Sequence, residues 1–456
     1  MAKSIKAIKC PHCGSIKVST IRPDYYKCDS CGTEFFLDSD DININHNYNY
    51  PRNNPDQYKA IRIVLFAVVG FIALMFIIGA LSAIFSKKPE PSYSTYTSSN
   101  TADKTEEAIT LEWNYASNEL FLDKNNIPHV VVVGNVRDSK ARFDEGKNNK
   151  VYIGLFDPKT GKKEWIKQLM DTPVELSSSD VKLQVFEDQN LYIIVKSKYI
   201  YQLDRNSLTF KSVLEDYVKD ASSLSTGIAK VEFKYEDYGS SYQIINNEGQ
   251  NLAYYPLINK SIPDKQLYDE RRKKLPNPKT KTEFTFSSKS SYYPEEKIQL
   301  IQYSYQYQYG FPKDSPRFSW DKDYGRSGIF TDRDPYKKVL INSWQFKGAR
   351  LISFKDFTPG RLYFQPEVIA QNDKTLLIAY KPTPAEDDPL QIQLLDVATG
   401  AIQKTVTTDL KSIYKNGYLL NDGFIVKSSS DYYYFDNSGK QINKFEGYNP
   451  KFDSLN

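Results

Sequence analysis

The sequence predicts a mainly β protein in three parts: a small metal-stapled sheet, one membrane-spanning helix and a large β-propeller of about seven blades. Three observations carry this. All four cysteines fall within residues 10–31 of a 456-residue chain, as two Cys-x-x-Cys pairs. A run of 23 uncharged residues, from Ile63 to Phe85, comes next. Beyond it, short runs rich in Val, Ile and Tyr alternate with Asp-, Asn- and Gly-containing turns that recur about every forty residues.

The cysteine pairs are "CPHCG" at Cys10 and Cys13 and "CDSCG" at Cys28 and Cys31, separated by 14 residues. Two thiolates on one tight turn grip a common ion. Two such turns brought together by a hairpin complete the tetrahedron of soft sulfur ligands that zinc accepts in closed structural sites. Gly14 and Gly32 follow the second cysteine of each pair, where a turn that aims N–H groups at sulfur favours glycine. The stretches "KVSTIRPDYYKC" and "TEFF" supply strands beneath the metal. Residues 1–37 thus resemble a zinc ribbon, which implies one structural Zn²⁺ and no open catalytic position. A pair of disulfides would need an oxidising compartment, and a redox Cys-x-x-Cys would sit on a βα unit. Six basic residues (Lys3, Lys6, Lys9, Lys17, Arg22, Lys27) oppose Asp24, Asp29 and Glu34. Four thiolates and one zinc ion subtract two further charges, leaving about +1, a weak field for gripping phosphates. Nucleic acid is disfavoured; a cytoplasmic protein is the partner such a ribbon suits better.

A polar, Asn-rich linker over 38–60 leads to the apolar segment, read as a transmembrane helix over 61–86. Its uncharged part would reach roughly 34 Å as a helix, enough to cross a bilayer. Sixty residues precede it and its apolar part is long, a poor fit to a cleavable leader. Flanking charges tie, with Arg52, Lys59 and Arg62 before the span and Lys87, Lys88 and Lys104 after it. Thiols break the tie: zinc-loading cysteines belong on the reducing side, so the amino terminus should be cytoplasmic and the cysteine-free remainder extracytoplasmic. The Ser-, Thr- and Pro-rich stretch 87–109 reads as a flexible tether.

Residues 110–456 form the large domain. Its turns open at Asp157, Asp204, Asn246, Asp356, Asp396 and Asp436, with steps of 47 and 42 residues early and 40 and 40 late. Asp or Asn opening a turn that closes near Gly, between apolar strands, is sound hairpin chemistry. Forty-residue spacing is what blades of four short strands produce. The 110-residue gap from Asn246 to Asp356 leaves room for two or more blades and an insertion, for which the basic stretch "PDKQLYDERRKKLPNPKTK" is the candidate. The run "FDPKTGKKEW", with Asp157, Thr160, Gly161 and Trp165, resembles the repeat of quinoprotein-like β-propellers. That resemblance implies that Trp165 wedges between blades. Asp396, Thr399 and Gly400 keep part of the pattern.

Catalytic signals are lacking. The large domain has one histidine, His129, no cysteine, no nucleophile elbow and no phosphate loop. Asp321/Asp323 and Asp332/Asp334 read as solvated turn acids rather than calcium ligands. Quinone-dependent relatives of the repeat carry an adjacent cysteine pair and calcium ligands, and this chain matches no cofactor-binding residue. The strand "QYSYQYQYGF" aligns Tyr303, Tyr305, Tyr307 and Tyr309 on one face. Packed between blades they are structural; turned outward they would meet a protein or glycan partner, as would Arg271 and Arg272 in the basic stretch. The leading expectation is a membrane-anchored binding or scaffold protein. A quinoprotein-like oxidoreductase and a membrane-tethered nucleic-acid binder are the alternatives. A net charge of +4 favours neither.

Overall fold

The computed structural model describes residues 16–22, 25–29, 34–36, 111–138, 150–324 and 336–452. The chain divides into two compact units, Met1–Asp103 and Lys104–Asn456. In the first, β1 (Val18–Arg22), β2 (Tyr25–Cys28) and β3 (Glu34–Phe36) form an antiparallel sheet in that order, with Val18 opposite Cys28. These are the strands expected around the second cysteine pair. Cys28 ends β2; Cys10, Cys13 and Cys31, and with them the zinc assignment, lie outside the described residues. So does the apolar segment 61–86. Among the described residues, no helix is long and apolar enough to cross a membrane.

The second unit is a six-bladed β-propeller. Blade I holds β4 (Leu111–Leu122), β5 (Pro128–Asp138), β6 (Val151–Phe156) and β7 (Lys163–Met170). Blade II holds β8 (Val181–Val185), β9 (Leu191–Val195), β10 (Tyr199–Asp204) and β11 (Thr209–Ser212). Helix α1 (Leu214–Asp220) then leads to blade III: β12 (Ile228–Phe233), β13 (Tyr242–Asn246), β14 (Asn251–Tyr255) and β15 (Lys260–Pro263). Helix α2 (Asp264–Glu270) leads on to blade IV, with β16 (Lys279–Phe286), β17 (Leu300–Tyr307) and β20 (Leu351–Asp356). Between β17 and β20 are a hairpin, β18 (Asp321–Asp323) with β19 (Lys337–Val339), and helix α3 (Ser343–Gly348). Blade V is β21 (Phe364–Gln371), β22 (Thr375–Lys381), β23 (Gln391–Asp396) and β24 (Ile402–Thr407). Blade VI is β25 (Tyr414–Leu420), β26 (Gly423–Ser428), β27 (Asp431–Asp436) and β28 (Gln441–Phe445). Every blade is an antiparallel meander.

The count is therefore six, not seven. The long interval between Asn246 and Asp356 is the second half of blade III, then one blade carrying an insertion. That insertion is the stretch from 308 to 350. The basic stretch chosen from sequence is instead the end of β15, helix α2 and the start of β16.

Why these runs make blades is visible in burial. Val130–Val133 and Leu191–Val195 are continuous apolar runs, and all are buried. Middle strands are covered on both faces by neighbouring blades, so they need no polar face. Blades I and II share one such layer, from Phe121, Val131 and Ile153 to Leu191, Ile193 and Leu203. Blades II and III share another around Ile194, Ile244 and Tyr242.

The turns behave as their residues dictate. At Asp157 the carboxylate accepts the Lys159 N–H at 2.8 Å and the Thr160 hydroxyl at 2.7 Å, while Gly161 donates its N–H to the Asp157 carbonyl. Gly161 sits at φ +74°, a conformation glycine takes without strain. Asp396, Thr399 and Gly400 repeat this geometry, with the Thr399 hydroxyl 2.7 Å from the carboxylate. Trp165 packs at the blade I–II interface, its ring 6.5 Å from Phe210, and is half-buried.

Among the described residues, blade VI closes on blade I without exchanging a strand. Leu111 and Phe452 make one isolated bridge. The seam is otherwise a packed layer in which Trp113, Val130 and Phe156 meet Ile425, Tyr432, Phe445 and Phe452.

Candidate functional site

A cavity of about 370 Å³ is walled by the first strands of blades I, II, IV and VI, by the turns that follow β8 and β12, and by β17. Blade I contributes Glu119, blade II Gln184 and Glu187, blade III Glu236, blade IV Lys281, and blade VI Tyr418. A second cavity, of about 740 Å³, is walled by β16, β21 and the 236–237 turn. Both cavities include Lys313 and Lys415. Together they form an axial funnel.

A segment of the blade IV insertion, Phe311 to Phe318, lies across this funnel and lines both parts. Its position is held at several points. Gly310 donates its N–H to Glu187 at 2.7 Å, and Lys313 donates its N–H to the Tyr238 carbonyl at 3.3 Å. Arg350 donates to the Pro312 carbonyl at 3.0 Å. Asp314 is forked by two arginines: Arg271 Nη1 at 3.0 Å, and Arg272 Nε and Nη2 at 3.1 and 3.0 Å. Arg271 is 8 % exposed and its guanidinium lies 3.8 Å over the Tyr238 ring. Arg272 lies 3.8 Å over Tyr268. The basic pair expected to face a partner is thus engaged inside the molecule, bracing this strap.

The tyrosine alternation holds along β17, and its face turns inward. Tyr303 and Tyr305 are each 7 % exposed, Tyr307 is half-buried, and Tyr309, past the strand end, is 48 % exposed. Tyr303 donates its hydroxyl to Glu283 at 3.0 Å. The Tyr305 phenol feels the same carboxylate, and the Tyr307 phenol feels Glu187. Burial, reinforced by these carboxylates, pushes all three phenols well above the ordinary tyrosine value, so they stay protonated donors. Gln306 and Gln308 add amides to the wall.

The funnel acids differ. Burial alone would raise the Glu283 carboxyl, but Lys281 at 2.7 Å, Lys313 and the Tyr303 hydroxyl together hold it below the usual glutamate range. Burial raises Glu367, which only Lys415 at 3.9 Å offsets. Sequence reasoning missed these two acids and the strap, because the funnel gathers them from blades far apart in sequence. What the walls offer is contact chemistry: aromatic faces, phenol and amide donors, and paired charges.

His129 lies outside the funnel. It is 4 % exposed near the start of β5, with Nδ1 at 2.6 Å from Glu164 Oε1 and Nε2 at 3.8 Å from Asp123. It links the second and fourth strands of blade I. Asp321 accepts from Asn342 at 2.7 Å and Asp323 from the Ser343 N–H at 3.3 Å, tying the β18–β19 hairpin to α3. Among the described residues no cluster of three His, Cys, Asp or Glu side chains could hold a metal ion.

No family model matches the chain, and no curated protein matches it. Among solved structures, the Dos1 propeller is similar at 10 % identity, 74 % of each chain covered and a TM-score of 0.22. BamB from Moraxella catarrhalis is similar at 11 % identity, with 71 % of this chain and 60 % of that one covered, and a TM-score of 0.15. The propeller assignment rests on the strand order and the closing seam described above.

Proposed function

We propose that this chain is a single-pass membrane-anchored binding protein. Its propeller recognises a protein or glycan partner outside the cytoplasm. A cytoplasmic zinc ribbon, held by Cys10, Cys13, Cys28 and Cys31, docks a protein on the other side. The helix over 61–86 joins the two through the bilayer. One observation supports recognition above all. The funnel is walled by Tyr305, Tyr307, Gln306 and Gln308, which offer broad contact area and hydrogen bonds at low entropy cost.

The reading is tested with the full-length protein in its own membranes. Tyr307→Ala and Gln308→Ala together are expected to reduce cross-linking of the extracytoplasmic partner at least about tenfold, the loss of a contact cluster. Capture unchanged in a folded variant refutes the funnel as the contact surface. Protease added outside intact cells, or outside spheroplasts where an outer membrane intervenes, should digest the region beyond Lys88 and spare an amino-terminal tag. The opposite pattern refutes the topology. Metal analysis should give one zinc per chain, reduced by Cys28→Ser.

A further inference from the structure

Blade IV is one strand short. In the other five blades a fourth strand pairs with the third, whereas the blade IV sheet ends at β20, which pairs only with β17 among the described residues. Among the described residues nothing pairs with the outer edge of Leu351–Asp356 at the rim, where every other blade continues. An unpaired edge is a template for a further strand.

A second feature adjoins this edge. A groove of about 520 Å³, with Trp320, Leu340, Phe346 and Phe354 in its wall, runs between the insertion and the third strand of the blade. Phe354 lies on β20 itself, and Ile352 beside it is 50 % exposed. Alternating side chains of an added strand would have an apolar wall on one face. Lysines outnumber acids here, although Asp323 also lines the groove and Asp356 ends β20. Lys338 and Lys347 rim the groove, Lys355 stands exposed on β20, and Lys337 is exposed on β19. Lys338 pairs with Glu296; Lys337, Lys347 and Lys355 make no ion pair with a described residue.

We infer that the open edge of blade IV binds an extended, acidic segment of a partner protein as a fourth strand. Only a polypeptide matches a backbone ladder, so the edge selects protein over glycan, and the lysines select an acidic one. The inference deepens the recognition reading by naming a partner class, and it places contact at the rim, away from the funnel.

The test uses the full-length protein and a fluorescent eight-residue peptide of alternating Val and Glu, with a Val–Lys peptide as control. The Val–Glu peptide is expected to bind, to slow amide exchange in 351–356, and to bind more weakly as salt rises. Lys347→Glu with Lys355→Glu should weaken binding at least about tenfold, two charge contacts being reversed. Gln308→Ala, in the funnel wall, should leave peptide binding unchanged, which separates this site from the funnel. Equal binding of both peptides, protection of β16 and β17 in place of β20, or absence of binding overturns the proposal. So does a photocrosslinker at Ile352 that joins two copies of this chain and no peptide.

Discussion

Glu283 and Glu367 show how one funnel sets two carboxylates apart. Glu283 is held below the ordinary glutamate value of 4.5, so its ionised form stabilises the fold. That contribution is present above 4.5 and is lost as pH falls through the depressed folded value. Glu367 is raised above 4.5 by burial, so its ionised form costs stability. That cost is full above the raised value and disappears as pH falls below 4.5. Glu283→Gln should therefore lower the melting temperature at pH 7, and Glu367→Gln should raise it, each by about 1–3 °C. In thermal melts followed by circular dichroism the Glu367 difference should fade as pH falls below 4.5, and the Glu283 difference only at lower pH, through its depressed folded value. Shifts of the same sign would show that Lys415 and Lys281 act alike on their partners. None of this was legible in the sequence, where the two acids stand 84 positions apart on β16 and β21. The tyrosines were half legible. Their alternation fixes a common face on β17, but a blade strand can be covered on both faces, so alternation alone does not say which face is inward.

At the scale of elements, the Asp turns were legible because a side-chain oxygen opposite a following N–H is a local, sequence-near device. Asp204, Asp396 and Asp436 each end the third strand of a blade, and Asp157 directly follows one. Two turns misled the count. Asn246 ends the second strand of blade III, whose third strand runs into Pro256–Ile258 with Asn259 at φ +45°. Asp356 ends a third strand with no fourth after it. An insertion made of short strands resembles a blade in composition, so the 110-residue gap reads as room for a further blade. The tryptophans divide by how completely their blades enclose them. Trp113 is 4 % exposed, between Phe156 at 6.5 Å and Phe452 at 5.5 Å. Trp113→Ala should cost about 3–5 kcal/mol in urea unfolding. Trp165 is half-buried, with Lys167 Nζ 4.7 Å over its ring, so Trp165→Ala should cost about 1–3 kcal/mol. A larger loss at Trp165 would mean that the blade I–II interface, not the seam, carries the greater share.

At the scale of the whole propeller, closure decides whether six meanders behave as one body. Many local hairpins make each blade quick to form, but a ring is complete only when its two ends meet. Here, among the described residues, each terminal blade is built from its own end of the chain, and the single backbone bridge Leu111–Phe452 does little to lock the ring. Side chains do it. Tyr432 donates its hydroxyl to Asn118 Oδ1 at 2.7 Å, while Asn118 Nδ2 donates to the Gly447 carbonyl at 2.8 Å. Asn449 Oδ1 accepts the Trp113 N–H at 2.9 Å, and Asn443 Nδ2 donates to the Pro158 carbonyl at 2.9 Å. Lys159 reaches Asp422 at 2.6 Å. Asn118 is the most connected of these and replaces, with one amide, part of what a shared strand would supply. Asn118→Ala removes two bonds across the seam and leaves the buried Tyr432 hydroxyl without its acceptor. The expected cost is about 2–3 kcal/mol. Its location matters more than its size. In native-state hydrogen exchange, amides of β4 and β25–β28 should exchange faster, while those of β9, β13 and β17 keep wild-type rates, because a ring opened at its seam loses contacts there first. Acceleration spread evenly over all six blades would instead show that the propeller opens only by unfolding as a whole, with the seam no weaker than any other blade interface.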